Sequence, residues 1–205
     1  MGKIRLDFDS LDPKLRGKIV KGSIIPRPIA WITSLNETGS INLAPFSFFN
    51  MISPTTLAVS FQKSDIKKKD TFINIMREKE AVIHIVSESL LGDMDKSAAP
   101  LELNESELNL TSLNLSPSMK INTPGIKEAL IRFEVRLDKS IPLLNYDGTS
   151  EEADLVILRI VGAILDDKVF DSENNYILPK ELGPIARLAG ANYSGLDILD
   201  FEREF

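Results

Sequence analysis

Two stretches of the chain alternate between apolar and polar positions with a period of two. Between Ala129 and Ile141, Ile131, Phe133, Val135 and Leu137 interleave with Arg132, Glu134, Arg136 and Asp138. That is the pattern of a strand with one buried and one wet face. From Leu155 to Leu165, Ile157, Arg159, Val161 and Ala163 oppose Leu158, Ile160, Gly162 and Ile164, and the pattern predicts a second long strand. Shorter apolar, β-branched runs at Ile29 to Leu35, Thr55 to Phe61 (behind a Ser53-Pro54 turn) and Ala81 to Val86 read as buried strands. Asn36, Glu37, Thr38 and Gly39 form a turn cluster, so the first of these runs reverses into a second strand beginning near Ile41. Pro45 lacks a backbone donor, and the ladder is expected to become irregular there.

Helical spacing is confined to two places. Lys69 to Glu80 offers Phe72, Ile73, Ile75 and Met76 as a core-facing stripe, with Asp70 or Thr71 as the cap. Ser87 or Ser89 opens a second helix over Leu90 to Ser97. Ala98 to Gly125 is irregular and reads as an insertion pinned to the core by Leu103, Leu108, Leu110, Leu113 and Leu115. A loop at Asp166 to Asn175 leads to Tyr176-Ile177-Leu178. There is no tandem repeat and no domain-sized linker, so residues 1–205 are expected to form one domain. Many short strands with few helices predict a mainly β fold with peripheral helices, an antiparallel barrel either closed or half-closed.

Composition removes several classes of chemistry. The chain has no cysteine, which excludes disulfides and thiolate catalysis and fits a reducing compartment, so a cytoplasmic protein is expected. No apolar run approaches the roughly 18 residues of a membrane span, and Met1 to Ser10 has no signal-peptide pattern. A net charge of −6 and a pI near 5.0 argue against a nucleic-acid partner. There is no Gly-rich dinucleotide fingerprint, P-loop or zinc motif. The acidic residues Asp166, Asp167, Asp171 and Glu173 lack the glycine and spacing of a calcium loop and read as a hairpin turn, so no metal site is expected. His84, the only histidine, lies in an apolar strand and reads as structural.

Two candidate binding features remain. Lys67-Lys68-Lys69 stands just before a helix N-terminus, where unpaired N–H groups and the positive dipole end favour an anion. On this reading Lys69 and Thr71 are ligands, Asp70 is occupied as the cap, Lys67 is solvated, and Asn74 one turn later is either a ligand or an exposed helix residue. The second feature is Asn42-Leu43-Ala44-Pro45-Phe46-Ser47-Phe48-Phe49-Asn50, an apolar corner with backbone groups near Ala44 and Phe46 that lack an evident ladder partner.

These segments carry a resemblance. Pro26-Arg27-Pro28, Thr33-Ser34, Gly39 and Asn42 to Asn50, followed by Lys69-Asp70-Thr71 with Asn74 and by Arg187-Leu188-Ala189-Gly190 with Tyr193, resemble the flavin reductase-like family of FMN-binding split-barrel proteins. The resemblance spans roughly Ile24 to Tyr193. It implies an antiparallel Greek-key split β-barrel, FMN as cofactor, NAD(P)H as co-substrate, and a homodimer with the flavin near the subunit interface. It further implies cofactor-binding roles for Arg27, Trp31, Thr33, Ser34, Asn42, Leu43, Ala44, Pro45, Phe46, Ser47, Ser60, Lys69, Asp70, Thr71, Asn74 and Arg187. Thr33, Ser34 and Ser47 are expected to offer hydroxyls to the ribityl chain or phosphate, and Arg187 either holds an anionic nucleotide group or makes a structural ion pair. His84 departs from the pattern, because asparagine is commoner on that strand of the family. No catalytic residue is expected, since hydride transfer is chemistry the cofactors supply. An FMN electron carrier, a reductase of another substrate and a non-enzymatic flavin-binding module share the same cradle.

Overall fold

The structure, a computed structural model, describes residues 2–63, 67–102 and 104–201. Among the described residues, seven strands form one antiparallel sheet: β1 (Ala30–Leu35), β2 (Ile41–Phe46), β3 (Phe49–Ser53), β4 (Thr56–Gln62), β5 (Glu80–Ile85), β6 (Ile131–Leu144) and β7 (Glu151–Leu165). Their order is β2-β1-β5-β6-β7-β4-β3. The two strands at the ends of that order, β2 and β3, are consecutive in the chain and separated only by Ser47 and Phe48. A flat seven-stranded sheet would hold its ends some 28 Å apart at about 4.8 Å per strand, a span two residues cannot bridge. The sheet therefore rolls into a barrel left open at the seam. Ser60 N–H donates to the Phe48 carbonyl at 2.8 Å, and the Phe46 and Phe61 rings meet edge-on at 4.7 Å across the seam.

The predicted hairpin forms β1 and β2 in register from Ala30 opposite Phe46 to Leu35 opposite Ile41. Gly39 closes its turn at φ 84°, a conformation a side chain disfavours. Pro45 does not interrupt β2, contrary to expectation; it stays in register opposite Trp31. The reason is its edge. Leu43 N–H points away from β1 and donates to Glu107 at 2.8 Å; alternation turns Pro45 the same way, so its missing N–H costs no ladder bond.

The barrel interior gathers Ile32, Val59, Phe61, Ile83, Val135, Val156 and Leu158. Helix α2 (Asp70–Glu78) closes one end with Phe72 and Ile75, whose burial contributes roughly 1.5–3 kcal/mol each. Ile73, predicted in the same stripe, is instead 41% exposed. The helix stops before Glu80 because Lys79 adopts a left-handed φ of 64°, and Glu80 opens β5. The second predicted helix is a 3₁₀ turn, Glu88–Leu90, leading into α3 (Leu91–Lys96); Ser87 precedes the turn without capping it. A further helix, α1 (Pro13–Ser23), was not anticipated. Its signal was legible: Asp12 accepts from the Lys14 and Leu15 N–H groups at 2.9 and 3.3 Å, ahead of a proline in the first turn.

The largest departure concerns the face of β6 expected to be wet. Arg132 and Glu134 are buried, because the Ala98–Gly125 insertion folds back over them. Glu134 accepts from the Met119 and Lys120 N–H groups, both at 2.7 Å, and Arg132 donates to Ser116 and Pro117. Opposite Glu134 stands Gly162, where a Cβ would come within 2.8 Å of Oε2. Of the leucines expected to pin the insertion, Leu108 and Leu113 pack on a second core around Trp31, while Leu110 and Leu115 are exposed. Leu103 lies outside the described residues. The predicted hairpin after β7 pairs Phe170–Asp171 with Tyr176–Ile177, and Asp171 accepts from Glu173 and Asn174 within its turn.

Replacing Glu134 with alanine strands two backbone donors beneath the insertion. Glu134→Ala is expected to lower stability by about 2–4 kcal/mol in urea unfolding, and hydrogen exchange should show residues 116–123 losing protection before the barrel strands.

Candidate functional site

Two clefts flank the seam. The first, about 480 Å³, lies between the end of β2, the N-terminus of α2 and the wall formed by Ser97–Glu102 and Asn104–Glu107. The second, about 460 Å³, lies between α1, α3 and the C-terminal segment that carries Arg187 and Tyr193. They share Pro45, Phe46, Ser47, Phe48 and Ala98. The seam peptide is therefore a common wall, with its apolar rings and the outward edge of Pro45 facing both compartments.

In the first cleft the structure brings together Asn42, Ala44, Pro45, Phe46, Ser47, Ser60, Lys69, Asp70 and Thr71. Asn42 Nδ2 donates to Thr71 Oγ1 at 2.8 Å, which ties β2 to α2 and leaves the threonine hydroxyl hydrogen available. Lys69, not Asp70 or Thr71, is the N-cap residue of α2, and it makes no side-chain capping bond. The first N–H groups of α2 thus lack a side-chain acceptor among the described residues, and Lys69, Asp70 and Thr71 line the cleft. The cap assignment for Asp70 is corrected accordingly: Asp70 Oδ1 is buried, has no hydrogen-bond partner among the described residues, and lies 3.8 Å from Lys67 Nζ. Lys68 is drawn to Asp154 at 3.5 Å and over the Phe72 ring at 4.6 Å. Lys69 has no ion-pair partner among the described residues.

Five other candidates do not reach either cleft. Trp31 is fully buried and donates to Ser97 Oγ at 2.8 Å; Leu43 is in the core. Thr33 spends its hydroxyl on the Pro124 carbonyl at 2.7 Å. Asn74 is neither ligand nor exposed: it donates to Ser34 Oγ at 3.1 Å and to Asn36 Oδ1 at 2.8 Å, so Ser34 and Asn74 form a buried polar clasp between β1 and α2. Arg27 and Arg187 line the second cleft, directly opposite each other in a short ladder. Arg27 donates to the carbonyls of Lys21, Ile24 and Leu188 at 2.7, 2.8 and 3.0 Å, and Arg187 to Tyr193 Oη and the Gly190 carbonyl. Arg187 has no carboxylate partner among the described residues, so the expected structural role is met by neutral acceptors instead of an ion pair.

Glu107 is a residue that sequence reasoning missed. It sits on a 3₁₀ turn of the insertion, lines the first cleft, and accepts the Leu43 N–H. Burial, opposed by that hydrogen bond and reinforced by the charge of Asp70, raises its carboxyl above the usual range. No local pattern marks it, because its role depends on where the insertion lands.

His84 is structural, as its strand position indicated. Ile126 N–H donates to Nε2 at 2.8 Å, which leaves Nδ1 to carry the proton and donate to the Trp31 carbonyl at 2.7 Å. Gly125 lies so close that a Cβ there would come within 2.9 Å of Nε2. Burial is the main cause that pushes the ring down to about 4; the Trp31 carbonyl opposes the shift and nearby Arg132 adds to it.

A rolled antiparallel barrel left open at one seam, with two clefts beside it, defines a split-barrel protein. The model of the Flavin reductase like domain matches residues 22–179, and the chain belongs to that family. The match stops short of Arg187 to Tyr193. The chain is similar to YwrF of Bacillus subtilis, 43% identical over 92% of each protein. Its fold superposes on nitrilotriacetate monooxygenase component B from Bacillus cereus with a TM-score of 0.93 and 36% identity, covering 99% of this chain and 100% of that one. It also superposes on the 2-nitrobenzoate 2-nitroreductase NbaA of Pseudomonas fluorescens, with a TM-score of 0.80, 27% identity and coverage of 98% and 99%.

The neutral His84 makes stability pH-dependent. With a folded value near 4 against about 6.5 unfolded, the unfolded chain takes the proton first as pH falls. Full stability is expected above pH 6.5, with about 3 kcal/mol lost by pH 4. His84→Asn, which removes the titration, should flatten that slope in urea midpoints measured from pH 7 to pH 4.

Proposed function

We propose that the chain, acting as one domain, is an FMN-dependent oxidoreductase that accepts hydride from NADH or NADPH. The observation that carries the reading is the first cleft: an uncapped α2 N-terminus and Lys69 at one end, and the apolar seam Pro45–Phe48 at the other. FMN has matching ends, a phosphate and a flat ring. Asp70 Oδ1, which accepts no hydrogen bond among the described residues, suits a ribityl hydroxyl as donor, and Ser47 and Ser60 add hydroxyls to the lining of the same cleft. When bound, the flavin supplies a two-electron acceptor. The protein's own part is to hold the phosphate, bury one ring edge and keep a second compartment open beside it. The family match and the two solved relatives named for redox enzymes favour this reading over a flavin-binding module without activity. The absence of cysteine suits a cytoplasmic setting, and no helix among the described residues is long and apolar enough to cross a membrane.

We also propose a homodimer. The edge strand β3 leaves Met51 and Ile52 65% and 55% exposed, beside a seam open to solvent, and a second copy would cover both by a symmetric contact. Light scattering should give twice the chain mass; a monomer that still binds FMN tightly would overturn the shared-site arrangement.

The purified protein should be yellow, or become so with FMN, and NADH or NADPH should bleach it anaerobically. Lys69→Ala should weaken FMN by about tenfold to a hundredfold, the cost of one bond to a charged group, while riboflavin, which lacks the phosphate, binds nearly as before. Flavin fluorescence titrations measure all of these; equal loss of both ligands in Lys69→Ala would show damage to the ring pocket, and no loss would place the phosphate elsewhere.

A further inference from the structure

We infer that Glu107 takes up a proton from solvent when a phosphate enters the first cleft and donates it to a phosphate oxygen as a hydrogen bond. Affinity for a phosphate-bearing flavin then falls as pH rises. This rests on the FMN reading of that cleft. Glu107 is only 8% exposed, and it lines the cleft together with Lys69, Asp70 and Thr71. Two successive residues of β2 hold it beside the α2 N-terminus: Leu43 N–H donates to Glu107 Oε2 at 2.8 Å, and the Asn42 side chain donates to Thr71 Oγ1 at 2.8 Å. Adjacent Cα atoms are about 3.8 Å apart, so the carboxyl and the first turn of α2 border the same end of the cleft. No side chain among the described residues bonds the other oxygen, Oε1.

The surrounding charges decide the protonation state. A phosphate monoester is close to doubly charged at neutral pH, and the cations beside it are few. Lys67 Nζ lies 3.8 Å from Asp70, and Lys68 is drawn to Asp154 at 3.5 Å. Lys69 is then the one lining ammonium without an ion-pair partner among the described residues. Glu102 and Glu105 are exposed and screened by water, whereas Glu107 is buried, and Asp70 Oδ1 is buried without a hydrogen-bond partner among the described residues. On α3, packed against the same turn, Asp93 pairs with Lys96 at 3.1 Å and Asp95 accepts from Tyr193 Oη at 3.4 Å, so that helix brings Glu107 no free cation.

A phosphate dianion, an ionised Asp70 and an ionised Glu107 around one ammonium repel one another in a partly desolvated cleft. Protonating Glu107 removes one negative charge and turns an acceptor into a donor. Glu107 is the group that yields. Burial already holds it above the usual carboxylate range and the charge of Asp70 adds to this, with the Leu43 N–H and its own N–H opposing in part. Because the Leu43 N–H occupies Oε2, the proton goes to Oε1.

The test uses the full chain as wild type, Glu107→Gln and Asp70→Asn, with FMN and riboflavin as probes. Affinity is measured by flavin fluorescence from pH 6.5 to 8.5, and proton uptake by calorimetry in buffers of different ionisation heat. Glutamine keeps an acceptor for the Leu43 N–H and cannot titrate. His84, the only histidine, is neutral throughout this range, and the chain has no cysteine. Wild-type affinity for FMN should fall by up to about tenfold per pH unit, the slope of one linked proton, with matching proton uptake. Riboflavin should show neither. The phosphate's own ionisation near pH 6 has the opposite sign, strengthening binding as pH rises. Glu107→Gln should lose the slope and bind FMN about tenfold more tightly than wild type at the top of the range, while Asp70→Asn keeps the slope.

A flat wild-type profile, a slope that survives Glu107→Gln, or a slope lost in Asp70→Asn alone overturns the inference. Should Glu107→Gln fail to fold by circular dichroism, the wild type still decides: proton uptake with FMN and not with riboflavin supports it, and none with either overturns it. Failure of the FMN reading looks different. A wild type that binds no FMN at any pH sinks both, whereas tight FMN binding without a pH slope sinks this inference alone.

Discussion

The two-residue link between β2 and β3 is the constraint on which the rest of this structure depends. Those strands end the order β2-β1-β5-β6-β7-β4-β3, and only Ser47 and Phe48 join them. Rolling follows from chain length, and the line of closure falls where the ladder cannot continue. Phe46, Phe61 and Phe72 then run from the seam to α2 in edge-on and tilted contacts, with ring centres 4.7 and 5.9 Å apart. The seam is thus apolar, edged by an outward-facing proline, and held from behind. A barrel that closed its ladder fully would have no such wall to offer a ring.

Buried polar groups on the sheet decide what covers it. Glu80, His84, Arg132 and Glu134 all reach into the insertion: Glu80 accepts from the Asn122 and Thr123 N–H groups at 2.7 and 2.9 Å, His84 from Ile126, and Glu134 from Met119 and Lys120. Backbone donors of an irregular segment need partners when buried, and these side chains supply them in place of a ladder. With its C-terminal half anchored, the insertion lays its first half, Ala98 to Glu107, against the outer edge of β2, where Glu107 takes the Leu43 N–H. The same contact builds one side of the first cleft. Stability of the insertion and shape of the site are therefore one property, and Gly125 and Gly162 serve both by leaving room for His84 and Glu134.

Charge distinguishes the two clefts. In the first, Lys69 and the uncapped end of α2 share the lining with the carboxylates of Asp70 and Glu107. In the second, Lys21, Arg27 and Arg187 stand without an opposing acid among the described lining residues.

The linear chain was enough to determine six of the seven strands of the sheet, the hairpin over Ala30–Phe46 with its turn at Gly39, and helix α2; the end strand β3, Phe49–Ser53, was not read from it. Each depends on neighbours in sequence: a period of two, a turn residue at positive φ, a stripe of apolar side chains. The family was legible for the same reason, since its motifs are short and local. Tertiary structure alone decided which polar residues line a cleft and which are spent on partners within the protein. Thr33, Ser34 and Asn74 carry the right chemistry for a ligand, yet Pro124, Asn42 and Asn36, brought from elsewhere in the chain, consume it. Arg132 and Glu134 have the alternation of a wet face, yet a segment that precedes them in sequence buries them. Glu107 and Lys21 gain their places only when the insertion and α1 dock. A side chain's partners are set by what the fold brings within 3 Å, and no spacing along the chain encodes that distance.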